Sequence, residues 1–369
     1  IKGYETDRFN KLVEKKIKEN YSLVKIDIKK IKFKLDLKKF NLYLETKEPA
    51  LTYKNIEVPI KKIKVYLDFV SLIKTNPKLT KVNLETKELS ADQLKKIIVK
   101  TKPSNLNSLI NNKIKKGKIK TNLEIYFDER SVLKNFIAKG EVREVELYLS
   151  KNLKSKKTSF NFFADNSDIL IKNIQSQIDG IEIKKGNLQI VKEKKIILKS
   201  DFLTSVKLND KNIHLASSLF KRNKFINKKT IFEAELHNFV NITFDETLKV
   251  IDYDIKNKGD INKMYIESNN YIESQFLEKK INKIFIKKAK TNSVLGTKIK
   301  DNINISGKYS FDDSIFQNFD FTNTFSKKIS EIELQFDLIE KFNFNLINYN
   351  KDYKKKANIF VNFLAKKNS

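Results

Sequence analysis

Val24, Ile26 and Ile28 fall on one parity of the chain, Ile31, Phe33, Leu35 and Leu37 on the other, and Phe40, Leu42 and Leu44 on the first again. Alternation with period two marks a β-strand with one apolar and one solvated face. The apolar side of such a sheet must be covered by a second layer, by curling of the sheet on itself, or by a ligand. Lys29-Lys30 and Lys38-Lys39 each shift the alternation by one residue. Each is read as a β-bulge that keeps the apolar side on one face. A two-residue hairpin is the weaker alternative, because Lys-Lys is poor chemistry for a type I′ or II′ turn.

The same texture predicts strands at 52–53, 58–68 and 79–88, and nearly continuous strand and turn from 117 to 215. It resumes at 231–236, 303–305, 332–336 and 342–346, with less regular stretches at 254–268 and 281–293. Four helical segments stand out. Residues 7–18 place Phe9, Leu12, Val13 and Ile17 on one face behind Thr6 as N-cap, and 91–99 follows Ser90, a good N-cap. The others are 105–114, beyond Pro103, and a helical turn at 69–73; residues 217–225 fit a short helix or a loop. With only 8 glycines and 4 prolines, turns fall to Lys185-Gly186-Asn187 and Asn209-Asp210-Lys211-Asn212, and Gly180 and Gly186 bracket a strand as turn glycines. The spacing of strand centres suits a sequential antiparallel meander, and no repeat of fixed length supports a solenoid.

A net charge of +30 invites a nucleic-acid reading, which the details oppose. Only four of the 75 basic residues are arginines (Arg8, Arg130, Arg143 and Arg222) and tryptophan is absent. Base readout and bidentate phosphate clamps favour Arg, and stacking platforms need aromatics among the basic groups. Lysines such as Lys25, Lys32 and Lys34 instead occupy alternate strand positions, where they form the wet face. Their charge still attracts anionic surfaces, phospholipid head groups included. Cysteine is absent, so neither a disulfide framework nor thiol chemistry is available.

Candidate chemistry is sparse. His214 and His237 sit in strand patterns without a second ligand at metal spacing, and no His-Glu-x-x-His, G-x-S-x-G or Walker pattern occurs. Asp252-Tyr253-Asp254 with Asn257 and Gly259 is a poor calcium loop, since Lys256 stands where an oxygen ligand is needed. No enzyme activity, cofactor or metal is expected. The apolar face is the remaining candidate. Its alternation outlasts the strands of one sandwich domain, and no linker divides it.

The order of elements near the N-terminus carries a resemblance. Residues 3–10 lead into the short helix, a strand follows, and Pro49-Ala50-Leu51-Thr52-Tyr53 comes next. Pro59-Ile60 and a strand ending in Asp68-Phe69-Val70-Ser71-Leu72 complete the pattern. This resembles the AsmA-like family of Gram-negative envelope proteins over roughly residues 1–100. Further along, only β-texture is shared, and the C-terminal domain usual in that family is not seen. The resemblance implies an elongated, twisted antiparallel sheet curled into a trough, a β-groove holding phospholipid acyl chains. It also implies an inner-membrane anchor before Ile1, a periplasmic location and a part in lipid transport between inner and outer membranes. Three segments are expected: 1–20 as the helix after the anchor, 21–100 as the AsmA-like β segment, and 101–369 as continuing groove. Because the strand pattern at 360–364 stops abruptly, the chain is expected to continue past Ser369.

The residues expected to line the groove are Ile26, Ile28, Phe33, Leu35, Leu42, Val65, Leu84, Leu123, Ile125, Leu147, Phe162, Ile183, Leu188, Leu198, Val206 and Leu215. The alternative within the same fold is a scaffold for outer-membrane protein assembly that conducts no lipid.

Overall fold

A computed structural model describes residues 4–7, 10–11, 14, 23–36, 41–68, 78–101, 105–130, 132–149, 153–212, 229–272, 276–278, 280–326 and 329–366. Among these the protein is mainly β. One large open antiparallel sheet of 21 strands, not closed into a barrel, is accompanied by a two-stranded hairpin and two short helices. Residues 1–174 and 175–369 form two compact units.

The first unit opens with β1 (Tyr4–Thr6), β2 (Val24–Asp27), β3 (Ile31–Asp36), β4 (Asn41–Lys47), β5 (Ala50–Tyr53) and β6 (Ile56–Leu67). It is not the simple meander expected. β3 lies between β1 and β4, whereas β2 pairs with β5. β6 is long enough to serve both ladders, residues 56–59 pairing with β5 and 62–67 with β4. Lys54 and Asn55, both at positive φ (48° and 64°), form the two-residue turn between Tyr53 and Ile56, a backbone that matches strand twist. Next come β7 (Leu79–Thr86), β8 (Leu89–Ser90), α1 (Ala91–Val99), α2 (Asn105–Lys113), β9 (Ile114–Phe127), β10 (Leu133–Tyr148) and β11 (Lys154–Ala164). β7 joins β6 to β9, and β9, β10 and β11 follow as hairpins. At α1, the Ser90 side chain accepts from the Gln93 backbone N–H (3.3 Å) and the Gln93 side chain accepts from the Ser90 N–H (2.8 Å). This reciprocal pair is a capping box.

The division between the units falls within β12 (Asp168–Ile178). The second unit is a long meander of β13 (Ile181–Lys192), β14 (Ile196–Leu208), β15 (Ile231–Phe244), β16 (Val250–Ile272), β17 (Ile281–Gly296), β18 (Asp301–Ser310), β19 (Gln317–Phe325) and β20 (Ile329–Leu338). A hairpin of β21 (Phe342–Phe344) and β22 (Tyr349–Lys351) follows, and β23 (Ala357–Lys366) returns to pair with β20. Its buried core comprises Val206, Leu208, Ala234, Ile261, Ala289, Tyr309 and Phe319.

Several expectations need correction. Lys29-Lys30 is not a bulge: the chain there leaves the β2–β5 ladder for the β1–β3–β4 ladder, and flanking Ile28 and Ile31 are both buried. Lys38-Lys39 lies outside the described residues; β3 and β4 on either side pair antiparallel, Leu35 with Leu42 and Asp36 with Asn41. Lys185-Gly186-Asn187 is not a turn, since Gly186 sits within β13 opposite Phe202. Gly180 does turn, at φ 89°. The stretches at 254–268 and 281–293 belong to continuous strands. Their alternation is masked because Asn257, Gly259, Ala289, Thr291 and Ser293 occupy the apolar parity. The pattern at 342–346 ends at Phe344, where a 3-10 turn (Asn345–Ile347) begins. Thr6 ends β1; most of helix 7–18, the turn at 69–73 and the segment 217–225 lie outside the described residues, although Asn10, Lys11 and Glu14 are helical.

Double lysines do mark bulges, at other places. Register shifts fall at Lys61-Lys62, Lys115-Lys116, Lys156-Lys157, Lys184-Lys185 and Lys287-Lys288. At Lys184-Lys185, two residues of β13 face Leu203 alone. Ile181 and Ile183 therefore stay on the same face as Leu188 and Ile190, although their parities differ.

Candidate functional site

In an antiparallel ladder, directly paired residues share a face, so the register traces an apolar surface row by row. In the first unit one row runs Phe33–Leu44–Val65–Val82–Ile125–Phe136 across β3, β4, β6, β7, β9 and β10. A second runs Ile63–Leu84–Leu123–Ala138–Ala164. Leu35 pairs with Leu42, and Gly140 lies between Thr121 and Phe162. The Phe162 ring covers the glycine so closely that a Cβ there would lie 2.8 Å from it. Ile26 joins the same side through Leu51 and Val58. Leu147 pairs with Ile114 and Ser155 beyond the bulges.

In the second unit the corresponding rows are longer. Ile181–Val206–Ala234–Ile261–Ala289 crosses five strands, and Ile183–Thr204–Leu236–Gly259–Thr291–Ile305–Phe321–Leu334–Val361 crosses nine. Three rows further along the same face, Ile190–Leu198–Ile242–Tyr253 is apolar again. The register thus places Ile183, Leu188, Leu198 and Val206 on one face. Leu215 lies outside the described residues.

Exposure separates this surface from a closed core. Ala289 and Ala234 are 0% and 1% exposed, and Val206 and Ile28 are buried as well. Ile28 belongs to no ladder: its N–H donates to Glu14 Oε1 (2.9 Å) and its carbonyl accepts from Asn10. Ile26, Phe33, Leu42, Val65, Leu84, Leu123, Ile125, Leu147, Phe162, Ile183, Leu188 and Leu198 are all only half-buried, and Leu35 is 40% exposed. The interior of a sandwich buries such residues between two sheets. Here they remain partly open among the described residues.

The opposite face of the first unit explains how so much lysine is carried. Lys34 Nζ donates to Glu45 Oε1 (2.7 Å), and Lys64 lies 3.9 Å from the same carboxylate and 5.0 Å from the Tyr43 ring centre. Lys81 bonds Glu124 (3.3 Å) and lies 4.8 Å from the Tyr66 ring centre. Glu124 also meets Lys139 (3.5 Å) and accepts from the Tyr126 hydroxyl (2.6 Å). Burial pushes Glu45 up, but the Lys34 hydrogen bond and the charges of Lys34, Lys64 and Lys62 outweigh it, so its carboxyl falls below the ordinary range. The bond to Glu124 pushes the Tyr126 phenol up to about 12, with burial adding to it. These are stacked ion pairs and cation–π contacts, a structural role for lysine.

His237 has the acidic partner that its neighbours in sequence do not supply. Its Nε2 lies 2.5 Å from Asp201 Oδ1 on the adjacent strand, and its ring packs 4.1 Å from that of Phe239. His214 lies outside the described residues. Asp252 sits on β16, paired to Lys298 and Thr297, rather than on a cation loop. A cleft of about 490 Å³ opens beside Glu85, Lys120, Asn122, Lys139, Glu141 and Asn161. Those side chains belong to the wet face, so the cleft is separate from the apolar rows.

Many residues of the apolar surface were not singled out in advance, among them Leu44, Ile63, Val82, Phe136, Leu236, Ile242, Ile305, Phe321 and Leu334. Their signal was the same alternation, extended by the register. Comparison with family models, curated proteins and solved structures returns no match.

Proposed function

We propose that the half-open apolar face holds phospholipid acyl chains, and that the protein supports lipid transfer between the membranes of a Gram-negative envelope from an inner-membrane anchor. The observation that carries the first part is a register-continuous set of apolar side chains left half-buried in an open sheet. Covering it with hydrocarbon gains roughly 0.8 kcal/mol per methylene removed from water, and no catalytic group is required. The second part rests on the resemblance of residues 1–100 to AsmA-like proteins. Lysines on the other face favour anionic membrane surfaces. A groove curled into a trough would give an acyl chain a continuous path.

The test is lipid retained through purification, identified by mass spectrometry after solvent extraction. Leu123→Asp with Leu147→Asp is expected to abolish retention in the folded protein. Undiminished lipid in that folded variant contradicts acyl-chain binding. Lipid-free wild type that still binds outer-membrane assembly proteins would support the scaffold alternative.

A further inference from the structure

On the apolar face of the second unit, one register line that includes Phe202 and Ile332 carries four polar residues. Asn238, Asn257, Ser293 and Asn323 occupy one register line across β15, β16, β17 and β19, with Ile303 of β18 between the last two. The flanking rows carry Leu236, Ile305 and Phe321 together with Thr204, Gly259 and Thr291 on one side, and Val240, Ile255 and Leu295 on the other. All four polar residues are half-buried.

Their hydrogen bonds are only partly used. Asn238 Nδ2 donates to Thr204 Oγ1 (2.9 Å) and to the Phe202 carbonyl (3.3 Å), and Asn238 Oδ1 accepts from Asn257 Nδ2 (2.5 Å). Asn323 Oδ1 accepts from the Ser330 hydroxyl (2.8 Å). The second N–H of Asn257, the Ser293 hydroxyl and the Asn323 amide N–H groups have no acceptor among the described residues. Hydrocarbon laid across this row would strand those donors, at a cost for each that offsets much of the gain from apolar contact. A ligand with acceptors at that level avoids the cost. The line carries no lysine or arginine, so a neutral acceptor fits better than a carboxylate or phosphate.

We propose that the Asn257–Ser293–Asn323 row receives the ester carbonyls of a diacyl glycerolipid, fixing where the polar middle of the molecule rests while its chains lie on the flanking rows. This rests on the acyl-chain proposal above. Asn257 and Ser293 are direct neighbours on strands about 4.8 Å apart, a separation that esters on adjacent glycerol carbons can span.

The experiment compares dioleoylphosphatidylcholine with its diether counterpart, which keeps head group and chains but lacks both carbonyls. Each displaces a fluorescent fatty-acyl probe from the delipidated full chain. Wild type is expected to bind the diester about tenfold tighter, equivalent to about 1.4 kcal/mol. The Asn257→Leu/Ser293→Val/Asn323→Leu variant should lose that preference while binding the diether at least as well. Equal binding of the two lipids by wild type, which needs no variant to fold, overturns the ester assignment alone. A preference that survives in the folded variant also overturns it. Failure of wild type to bind either lipid overturns the acyl-chain proposal and the ester assignment with it.

Discussion

Deleting a residue from the middle of a strand normally turns every side chain on one side of the deletion to the wrong face, but a bulge is an exception that β13 puts to the test. Ile183 pairs with Thr204 and Lys185 with Leu203, leaving Lys184 as the extra residue. Deleting Lys184 closes the ladder into regular alternation with Ile181, Ile183, Leu188 and Ile190 still on the apolar side. Its one evident loss is the ion pair to Glu235 (2.8 Å), whose partners are 50% and 44% exposed and which is therefore worth little. Deleting Glu182, two residues away, shortens the strand equally but restores the ladder only by swapping Ile183 with Lys184. A half-buried isoleucine then leaves the apolar row, costing about 1 kcal/mol, and a lysine enters it beside Thr204 at a similar cost. Loss of Glu182 should thus destabilise the protein by about 2 kcal/mol more than loss of Lys184. Urea titration followed by circular dichroism at strand wavelengths measures the difference. Equal destabilisation, or a larger loss from deleting Lys184, refutes the assignment of that dyad as a face-preserving bulge.

Other consequences are independent of ligand. Ser90→Ala removes one half of the α1 capping box and should cost about 1 kcal/mol, seen as faster hydrogen exchange confined to residues 91–99. Gly140→Val should destabilise the first unit by about 1–3 kcal/mol, because a Cβ there would meet the Lys120 carbonyl oxygen at 2.2 Å and the Phe162 ring; Gly140→Ala should show a smaller loss of the same sign by thermal melting. Glu45→Gln should cost about 1.5–3 kcal/mol near neutral pH. The folded carboxyl lies below its ordinary value of 4.5, so its contribution is complete above that value and is lost as pH falls through the folded one. The stability gap between wild type and Glu45→Gln should therefore narrow on acidification and stay constant from pH 6 to 8.

Period-two alternation was enough to show a mainly β protein, because that signal is local to each strand; that the sheet stays open is seen only in the structure. Ala91–Val99 was legible for the same reason, its cap and helix being contiguous. What was hidden depends on partners distant in sequence. The lysine dyads at 29–30 and 184–185 look alike in the chain, yet one joins two ladders and the other bulges within one. The Asn257–Ser293–Asn323 row resembled broken alternation until the register aligned it. Asp201 could not be matched to His237, 36 positions away, because only the pairing of β14 with β15 brings them together.

The central claim is that lipid occupies one face of the sheet and not the other. A photoreactive benzoylphenylalanine placed singly at neighbouring positions of opposite parity tests this directly: Leu84 against Asn83, Leu123 against Asn122, and Leu198 against Lys199. Illumination of protein loaded with radiolabelled phospholipid should give crosslinks at Leu84, Leu123 and Leu198 and background at their neighbours. Equal labelling of both parities, or labelling confined to the lysine-rich face, would contradict it.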